Sequence, residues 1–238
     1  MLHRIVPDKV DEWADVRLSS FVELLDTLAR EKKIVTCIDN QQVNLDKICL
    51  SFDDGHASDC ELVLPLLQKY NMQATFFITP NLVGKKGYIS WNQVRMLQDA
   101  GMEIGSHSLS HPYMTTLSTQ QLFTELKQSK DQIEQNIGKE IKSFAYPYGD
   151  YSHRTHKQAK LVGYKYICTS KPGLYSVGGK IVNRNSVHSN THNQDLVLLL
   201  NRDKYHLFKL QLIYAIRYGL KRTLGIDNYI KLKQFIYS

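Results

Sequence analysis

The sequence lacks several features that would assign it to a special class of protein. Its four cysteines, Cys37, Cys49, Cys60 and Cys168, form no C-x-x-C pair, and three of them lie in or beside apolar runs. We therefore expect buried free thiols rather than a zinc knuckle or a disulfide framework. The longest uninterrupted aliphatic run, residues 196–200, is far too short to cross a bilayer. No linker rich in proline or glycine, internal repeat or low-complexity segment interrupts the 238 residues.

The N-terminus lacks the apolar core of a secretory signal, because residues 1–8 turn charged at once. We therefore expect a cytoplasmic protein, with peripheral contact at the inner membrane surface as an extension of that prediction. The composition, 42% hydrophobic and 22% charged, is that of an ordinary soluble globular protein. It excludes a disordered tail, a collagen-like fibre and a membrane-embedded protein.

Short apolar segments alternate with amphipathic segments of helical periodicity along most of the chain. Strands are predicted over 48–52, 74–78, 102–105, 141–145, 164–168 and 180–182, and a long helix runs from Ser118 to Gly138. The alternation predicts an α/β fold with a parallel sheet, either a (β/α) barrel, distorted or seven-stranded, or a doubly wound open sheet. We assign the barrel to residues 1–194 and a basic helical C-terminal extension to residues 195–238.

Two adjacent carboxylates follow one of the predicted strands. Asp53 and Asp54 come directly after the run 48–52 and directly before Gly55. In parallel α/β folds the loops that leave the C-terminal ends of the strands build the active site. Two neighbouring carboxylates there favour a shared cation or proton. An exposed Asx turn before glycine is the alternative interpretation.

Two histidines follow another predicted strand. His107 and His111 form an H-x-x-x-H pattern, a spacing that would place both rings on one face of a helical turn. One carboxylate and two imidazoles provide three protein ligands and leave a position for water, as in catalytic zinc sites. The two clusters together predict a metal site at the C-terminal edge of the sheet.

An aromatic turn follows a third strand, at residues 144–150. Pro147 restricts the backbone and Gly149 allows a tight turn. This arrangement could direct the N–H of Tyr148 into a cleft, where it would stabilise an oxyanion. Considered alone, the same pattern is also typical of an ordinary turn.

Together these residues resemble the polysaccharide deacetylases of carbohydrate esterase family 4. The family's Thr/Ser-Phe-Asp-Asp-Gly motif matches residues 51–55, and its His-Ser/Thr-x-x-His motif matches residues 107–111. Its Arg-x-Pro-x-Gly motif matches residues 145–149, with Ala145 in place of the arginine. The three motifs occur in the family's order, and the resemblance covers roughly residues 1 to 190.

The resemblance implies a role for each motif residue. Asp53 would be the catalytic base, whereas Asp54, His107 and His111 would bind one divalent metal ion. Zinc is the metal best suited to this ligand set, with nickel, cobalt, manganese and iron as alternatives.

The third motif would contribute to the substrate and oxyanion site through Pro147 and Tyr148. Because Ala145 cannot orient the base as the family's arginine would, we expect Arg184 to approach Asp53 from a neighbouring strand.

The family also uses a histidine as the catalytic acid, and the sequence offers two candidates. Residues 2–5, Leu-His-Arg-Ile, resemble the first strand of a permuted branch that includes poly-N-acetylglucosamine deacetylases. This resemblance makes His3 the acid. His188, near the position that the acid usually occupies, is the alternative.

The resemblance implies a metal-dependent hydrolase that removes N-acetyl groups from N-acetylhexosamine units of a polysaccharide or glycan precursor, as in exopolysaccharide biosynthesis. O-acetyl esters and peptidoglycan are alternative substrates. A non-catalytic barrel in a polysaccharide-assembly system is an alternative of a different class.

The net charge of +7 is concentrated near the C-terminus. Residues 201–238 contain eight Lys and Arg and two Asp, a net charge of +6, so we expect no nucleic-acid partner at the motif-bearing loops. Apolar residues alternate with these basic residues, at Leu207, Leu210, Ile213, Tyr214 and Leu220. The pattern is typical of an amphipathic helix at an anionic membrane surface. A helix that packs on the barrel with its cationic side in water is the alternative.

Overall fold

The computed structural model describes residues 1–39, 47–174, 181–225 and 228–229, and strands and helices alternate through them. The strands are β1 (Ile5–Val6), β2 (Val16–Arg17), β3 (Ile34–Thr36), β4 (Lys47–Cys49), β5 (Ser51–Phe52), β6 (Thr75–Ile78), β7 (Glu103–Ser106), β8 (Ser143–Ala145) and β9 (Tyr166–Cys168). The α-helices are α1 (Leu18–Arg30), α2 (Leu64–Lys69), α3 (Trp91–Asp99), α4 (Thr119–Ile137), α5 (His153–Leu161), α6 (Asn193–Leu200) and α7 (Lys204–Leu224).

Strands β5 to β9 form one parallel sheet in sequence order. Two further parallel pairs, β1 with β2 and β3 with β4, lie outside it. Parallel neighbours need a crossover connection, which is usually a helix, and α2 to α5 fill these connections. All the strands of the large sheet therefore point the same way, and their C-terminal ends lie at one edge.

Backbone hydrogen bonds continue from the two edges of this sheet towards each other. Leu2 forms a parallel bridge to β5, and Val182 forms one to β9. Between them, the backbone of Met1 hydrogen-bonds to the segment 185–187. The N-terminus thus closes the curled sheet into a barrel-like wall. The predicted α/β, barrel-like fold is confirmed, whereas a count of seven strands and the domain boundary at residue 194 stay predictions.

The strand predicted over residues 48–52 is two strands that differ in their partners. β4 pairs with β3, whereas β5 pairs with β6 in the large sheet. The chain changes partner at the buried Leu50, whose carbonyl accepts a hydrogen bond from the N–H of Thr75. The apolar run does not reveal this break, because both halves carry similar side chains. Lys180, the first residue of the strand predicted over 180–182, lies outside the described residues.

Helix α4 shows how local sequence sets the ends of an element. Ser118 and Gln121 form a reciprocal capping box at its start, and Gly138, with φ of 67°, ends it in the left-handed conformation. Both ends lie where the sequence predicts them. Leu122, Leu126 and Ile133 turn one face of the helix into the core.

The cysteines are free thiols, but the prediction that they are buried is wrong in part. Cys37 and Cys168 are buried, Cys60 is half-buried, and Cys49 is exposed. Cys49 ends β4, which lies outside the large sheet and is covered less completely than its strands.

Two helices, α6 and α7, follow the barrel wall. Residues 226–227 and 230–238 of the predicted extension lie outside the described residues. Within the part of the chain that the structure describes, no helix combines the length and the apolar character needed to cross a membrane.

Candidate active site

Three loops at the C-terminal edge of the large sheet bring together the side chains that the motifs predict. Asp53 and Asp54 follow β5, and His107 follows β7, two strands away. One ligand atom each from Asp54, His107 and His111 lie within 4.8 Å of one another. The parallel arrangement explains this convergence, because the ends of all the strands meet at the same edge.

The spacing of these ligand atoms fits a metal ion. Oδ1 of Asp54 lies 3.5 Å from Nε2 of His107 and 3.3 Å from Nε2 of His111. Two ligand atoms bonded tetrahedrally to one zinc ion at about 2.1 Å are about 3.4 Å apart. Both distances from Oδ1 of Asp54 therefore match the separation expected around a shared zinc ion.

The hydrogen bonding of His107 also favours a metal ion at this position. Its Nδ1 lies 2.9 Å from the carbonyl oxygen of Ala145, which can only accept, so Nδ1 carries the proton and Nε2 presents a lone pair. Burial lowers the pKa of His107 to about 4, so the ring is neutral at neutral pH. Oδ1 of Asp54, which this lone pair faces, is buried and has no hydrogen-bond partner among the described residues. Two facing acceptors favour a cation between them.

The two histidines converge through a loop, so the prediction of a helical turn is wrong. Ser108 and His111 have φ values of 65° and 63°, in the left-handed region. The carboxylate of Glu125 on α4 accepts hydrogen bonds from the backbone N–H groups of residues 109–110. These contacts hold the loop so that the His111 ring turns back towards His107, and the ring centroids lie 4.9 Å apart.

Arg184 forms a buried, bidentate ion pair with Asp53. Its two terminal nitrogens lie 2.6 and 2.8 Å from the two carboxylate oxygens, and one of them also donates to the hydroxyl of Ser51. Burial alone would raise the pKa of Asp53, but the charge of Arg184, with a smaller contribution from His107, lowers it to about 2. The structure thus brings Arg184 into contact with Asp53, as the sequence led us to expect.

The structure places His3, and not His188, beside these carboxylates. The backbone N–H of Asp53 donates to the carbonyl of Leu2, so His3 directly follows the residue that joins the N-terminus to β5. Burial lowers the pKa of His3, whereas the charges of Asp53 and Asp54 act on it in the opposite direction.

His188 lies elsewhere in the fold. Its ring stacks on Trp13 with centroids 4.2 Å apart, and the charged groups that act on its pKa are Arg217 and Asp195. Burial lowers the pKa of His188 more than either of these charges changes it.

The third motif forms a strained turn at the rim of the site. Residues 147–149 form a tight turn, in which Tyr148 has φ of 56° and ψ of 11°, in the left-handed region. The ring of Tyr148 is 55% exposed, stacks on Tyr113 with centroids 4.1 Å apart, and meets the ring of His111 at 4.6 Å. Backbone strain of this kind is typical of functional sites.

Two residues of the site were not predicted from the sequence. His56 stacks on Tyr88 and places its Nε2 3.5 Å from Oδ2 of Asp54. Asp59 is fully buried, and neither of its carboxylate oxygens has a hydrogen-bond partner in the described ranges. Burial raises the pKa of Asp59 well above its ordinary value, and the charges of Asp54 and Asp53 raise it further. His56 directly follows the motif at residues 51–55, and this position could have marked it as a residue of the site. No local sequence pattern indicates that Asp59 is buried.

Comparisons with known proteins agree with this geometry. The family model for polysaccharide deacetylase matches residues 40–167. The chain is 30% identical over 162 residues to a peptidoglycan-N-acetylglucosamine deacetylase of Bacillus cereus, covering 64% of this chain and 71% of that protein. It is 31% identical over 158 residues to a bifunctional xylanase/deacetylase of Pseudobutyrivibrio xylanivorans, covering 66% of this chain and 25% of that protein. Against several other curated relatives the chain spans between about a quarter and a half of their length.

Solved structures show the same fold. The deacetylase PplD of Streptococcus pyogenes, in complex with acetate, superposes with a TM-score of 0.76 at 22% identity, covering 83% of this chain and 95% of that one. A de-N-acetylase from Aggregatibacter actinomycetemcomitans also superposes with a TM-score of 0.76, at 18% identity, covering 84% of this chain and 97% of that one. With the family model matching more than half of the sequence, the chain belongs to the polysaccharide deacetylase family.

Proposed function

We propose that this protein is a metal-dependent hydrolase that removes N-acetyl groups from N-acetylhexosamine units of a polysaccharide or glycan precursor. The main observation behind the proposal is that two adjacent aspartates of one loop have different partners. Asp53 is ionised and oriented by Arg184, and Asp54 beside it completes a three-ligand cluster with two histidines. A carboxylate base beside three side chains that would hold a metal ion is an arrangement suited to amide hydrolysis, because the metal would supply Lewis-acid chemistry next to the base.

Asp54, His107 and His111 would hold the metal, with zinc as the ion best suited to two imidazoles and one carboxylate. When bound, such an ion lowers the pKa of a coordinated water and polarises a carbonyl oxygen. Ala145 would contribute through its backbone, because its carbonyl keeps the proton of His107 on Nδ1. This contact supports the ligand set although the side chain at position 145 is not the family's arginine.

Asp53 would take the proton from the attacking water. The bidentate contact with Arg184 holds both carboxylate oxygens in place and keeps the group ionised at neutral pH. Its low pKa makes it a weak base by itself, so the transfer depends on how acidic the attacking water becomes. Orientation rather than basicity is therefore the contribution we assign to this ion pair.

His3 would protonate the departing amine, which is a poor leaving group without a proton. Burial lowers the pKa of His3, so its ring is mostly neutral at rest. It would take a proton from solvent before donating it to the amine, and Asp53 would afterwards release to solvent the proton that it took from water. A low pKa also makes the protonated ring a stronger acid towards the amine. The backbone N–H of Tyr148, preceded by Pro147, would stabilise the oxyanion, and the exposed Tyr113–Tyr148 stack offers a surface for a sugar ring.

Peptidoglycan is the second candidate substrate. The relative from Bacillus cereus is named as acting on peptidoglycan N-acetylglucosamine, and 71% of its length matches this chain. An amine-release assay should therefore include chitooligosaccharides, poly-N-acetylglucosamine fragments, peptidoglycan fragments and an O-acetylated sugar. Release of acetate without amine from the O-acetylated sugar alone would assign the protein to esters.

In this assay Asp53→Asn should retain the metal and lose roughly a hundredfold to ten-thousandfold in kcat/KM, the range expected for loss of a general base. Asp54→Ala and His107→Ala should lose both metal content, measured by elemental analysis, and activity. Full activity of a metal-free wild-type protein would contradict the mechanism. An inactive but metal-loaded wild-type protein would favour the non-catalytic barrel.

His3→Ala and His188→Ala are matched controls for the acid. His3→Ala should keep the metal and lose activity, whereas His188→Ala should behave like the wild type, because its ring packs on Trp13 away from the carboxylates. The reverse result would assign the acid to His188.

A further inference from the structure

Helix α7 exposes a continuous apolar face to solvent. Five large side chains of this helix are between 41% and 78% exposed, and they recur every three or four residues along it: Tyr205, Phe208, Leu212, Ile216 and Leu220. This spacing aligns them along one side of the helix. The opposite side faces the barrel, where His206 is buried and Tyr214 is half-buried. The alternative of a helix that packs on the barrel with only its cationic side in water therefore leaves this face unexplained.

The same helix has cations and no carboxylates. Its 21 residues contain five Lys and Arg and neither Asp nor Glu. Lys204, Lys209 and Arg222 are exposed, and they form no salt bridge with the residues that the structure describes. Single exposed apolar residues are common on protein surfaces, but a contiguous apolar face beside unpaired cations is typical of an interaction site.

The charge of the helix decides between the candidate occupants of this face. A second copy of the chain, packed helix against helix, would bring the exposed Lys204, Lys209 and Arg222 against the same cations of the second helix, with no carboxylate on either helix. A membrane-spanning position is excluded because the helix is not apolar enough. An anionic bilayer surface satisfies both features, because it accepts the apolar side chains at the level of the headgroups and pairs with the cations.

From the exposed apolar face and the exposed cations we propose that α7 docks the protein on an anionic lipid bilayer, lying in the plane of the surface. Lys221 connects this helix to the rim of the candidate active site. Its Nζ lies 2.9 Å from Oδ1 of Asp150 and 4.6 Å from the ring centroid of Tyr113. Docking therefore holds the active-site edge close to the membrane. The proposal stands independently of the proposed activity.

The test is co-sedimentation of the full chain with two kinds of vesicle, one of phosphatidylcholine and one of an equal mixture of phosphatidylcholine and phosphatidylglycerol. Wild-type protein should bind the anionic vesicles, with an affinity that falls as salt is added, and should remain free with the zwitterionic ones. The triple substitution Phe208→Ser, Leu212→Ser and Ile216→Ser should weaken binding by more than roughly a hundredfold. Lys209→Gln with Arg222→Gln should weaken it roughly thirtyfold at low salt.

Matched variants on the barrel control for nonspecific effects. Leu161→Ser removes an apolar side chain that is also exposed, and Lys157→Gln with Lys160→Gln removes the same charge from α5. Both should bind like the wild type. Amine release from a soluble substrate, measured on every variant, separates failure of docking from failure of the proposed activity.

Two outcomes would overturn the proposal. In the first, the triple variant binds anionic vesicles as tightly as the wild type. In the second, neither the wild type nor any variant binds vesicles, and sedimentation velocity shows that the wild type is a dimer whereas the triple variant is a monomer. This result would assign the face to a second copy.

Discussion

At the scale of single residues, Arg184 controls the charge of the candidate base. It is buried, lies over the ring of Phe77, and places both of its terminal nitrogens on Asp53. A buried carboxylate without such a partner would be protonated at higher pH, because burial disfavours its charged form. The ion pair therefore links the ionisation of the base to the integrity of the barrel wall.

Arg184→Met should lower the free energy of unfolding by about 3–5 kcal/mol, because it leaves Asp53 buried and unpaired. It should also move the acid limb of the pH profile of kcat/KM to higher pH. In the wild type the folded pKa of Asp53, about 2, lies below its ordinary value. The pair therefore contributes its full stability above about pH 4, and this contribution is lost as the pH falls towards 2. In the variant the loss should begin at higher pH.

Urea unfolding at a series of pH values measures the first effect, and the pH–rate profile measures the second. Lys130→Met is the control, because Lys130 is a buried cation that pairs with Glu134 far from the motif loops. It should lower stability without moving the pH–rate profile. An unchanged profile in Arg184→Met would show that Arg184 does not set the pKa of the base.

At the scale of elements, the motif loops depend on backbone conformations that few residues adopt. Ser108, His111 and Tyr148 all have positive φ, and each follows the C-terminal end of a strand of the large sheet. The H-x-x-x-H spacing suggested a helical turn, but these conformations bring the rings together through a loop. Loop conformation depends on contacts such as those of Glu125 on α4, which no local pattern reveals.

Gly149 is the position where the third motif tolerates no side chain. Its φ is +61°, and an added Cβ would lie 2.7 Å from the Cβ of Ser170. Gly149→Ala should therefore destabilise the fold by about 2–4 kcal/mol, combining the left-handed conformation with a steric clash. Chemical denaturation measures the change.

Gly138→Ala is the matched control for this substitution. Gly138 has φ of +67°, and nothing lies within 4 Å of an added Cβ, so only the conformational cost of about 1–2 kcal/mol should appear. Ser170→Gly combined with Gly149→Ala should recover the steric part of the loss. Equal destabilisation by the two glycine substitutions would mean that the turn relaxes around the new methyl group.

At the scale of the whole molecule, the N-terminus completes the barrel wall and places His3. Leu2 is fully buried, bridges β5 and hydrogen-bonds through its backbone to residues 51 and 53. Leu2→Ala should lower the free energy of unfolding by about 2–5 kcal/mol, the range for a buried leucine, and should lower activity through the displacement of His3.

Urea unfolding of Leu2→Ala should be compared with that of Leu161→Ala, which removes an exposed leucine and should change stability by less than about 0.5 kcal/mol. If Leu2→Ala retained full stability, the N-terminal segment would contribute little to closure.

By itself the sequence determined the class of fold, the ends of α4 and the residue types of the candidate metal-ligand cluster. These features depend on local periodicity, on capping residues and on motifs only a few residues long. The residues matched by the family model, 40–167, include all three motifs. The concentration of positive charge near the C-terminus could also be determined from the sequence, because it depends on composition alone.

Only the tertiary structure decided which distant side chains meet. Asp53 and Arg184 are 131 residues apart, and their contact depends on closure of the sheet through the N-terminus and the segment after β9. The burial of Asp59 and the exposed apolar face of α7 likewise depend on what packs against each element. A sequence pattern states which faces are apolar, but long-range packing decides which of them are covered, because burial is a property of the whole fold.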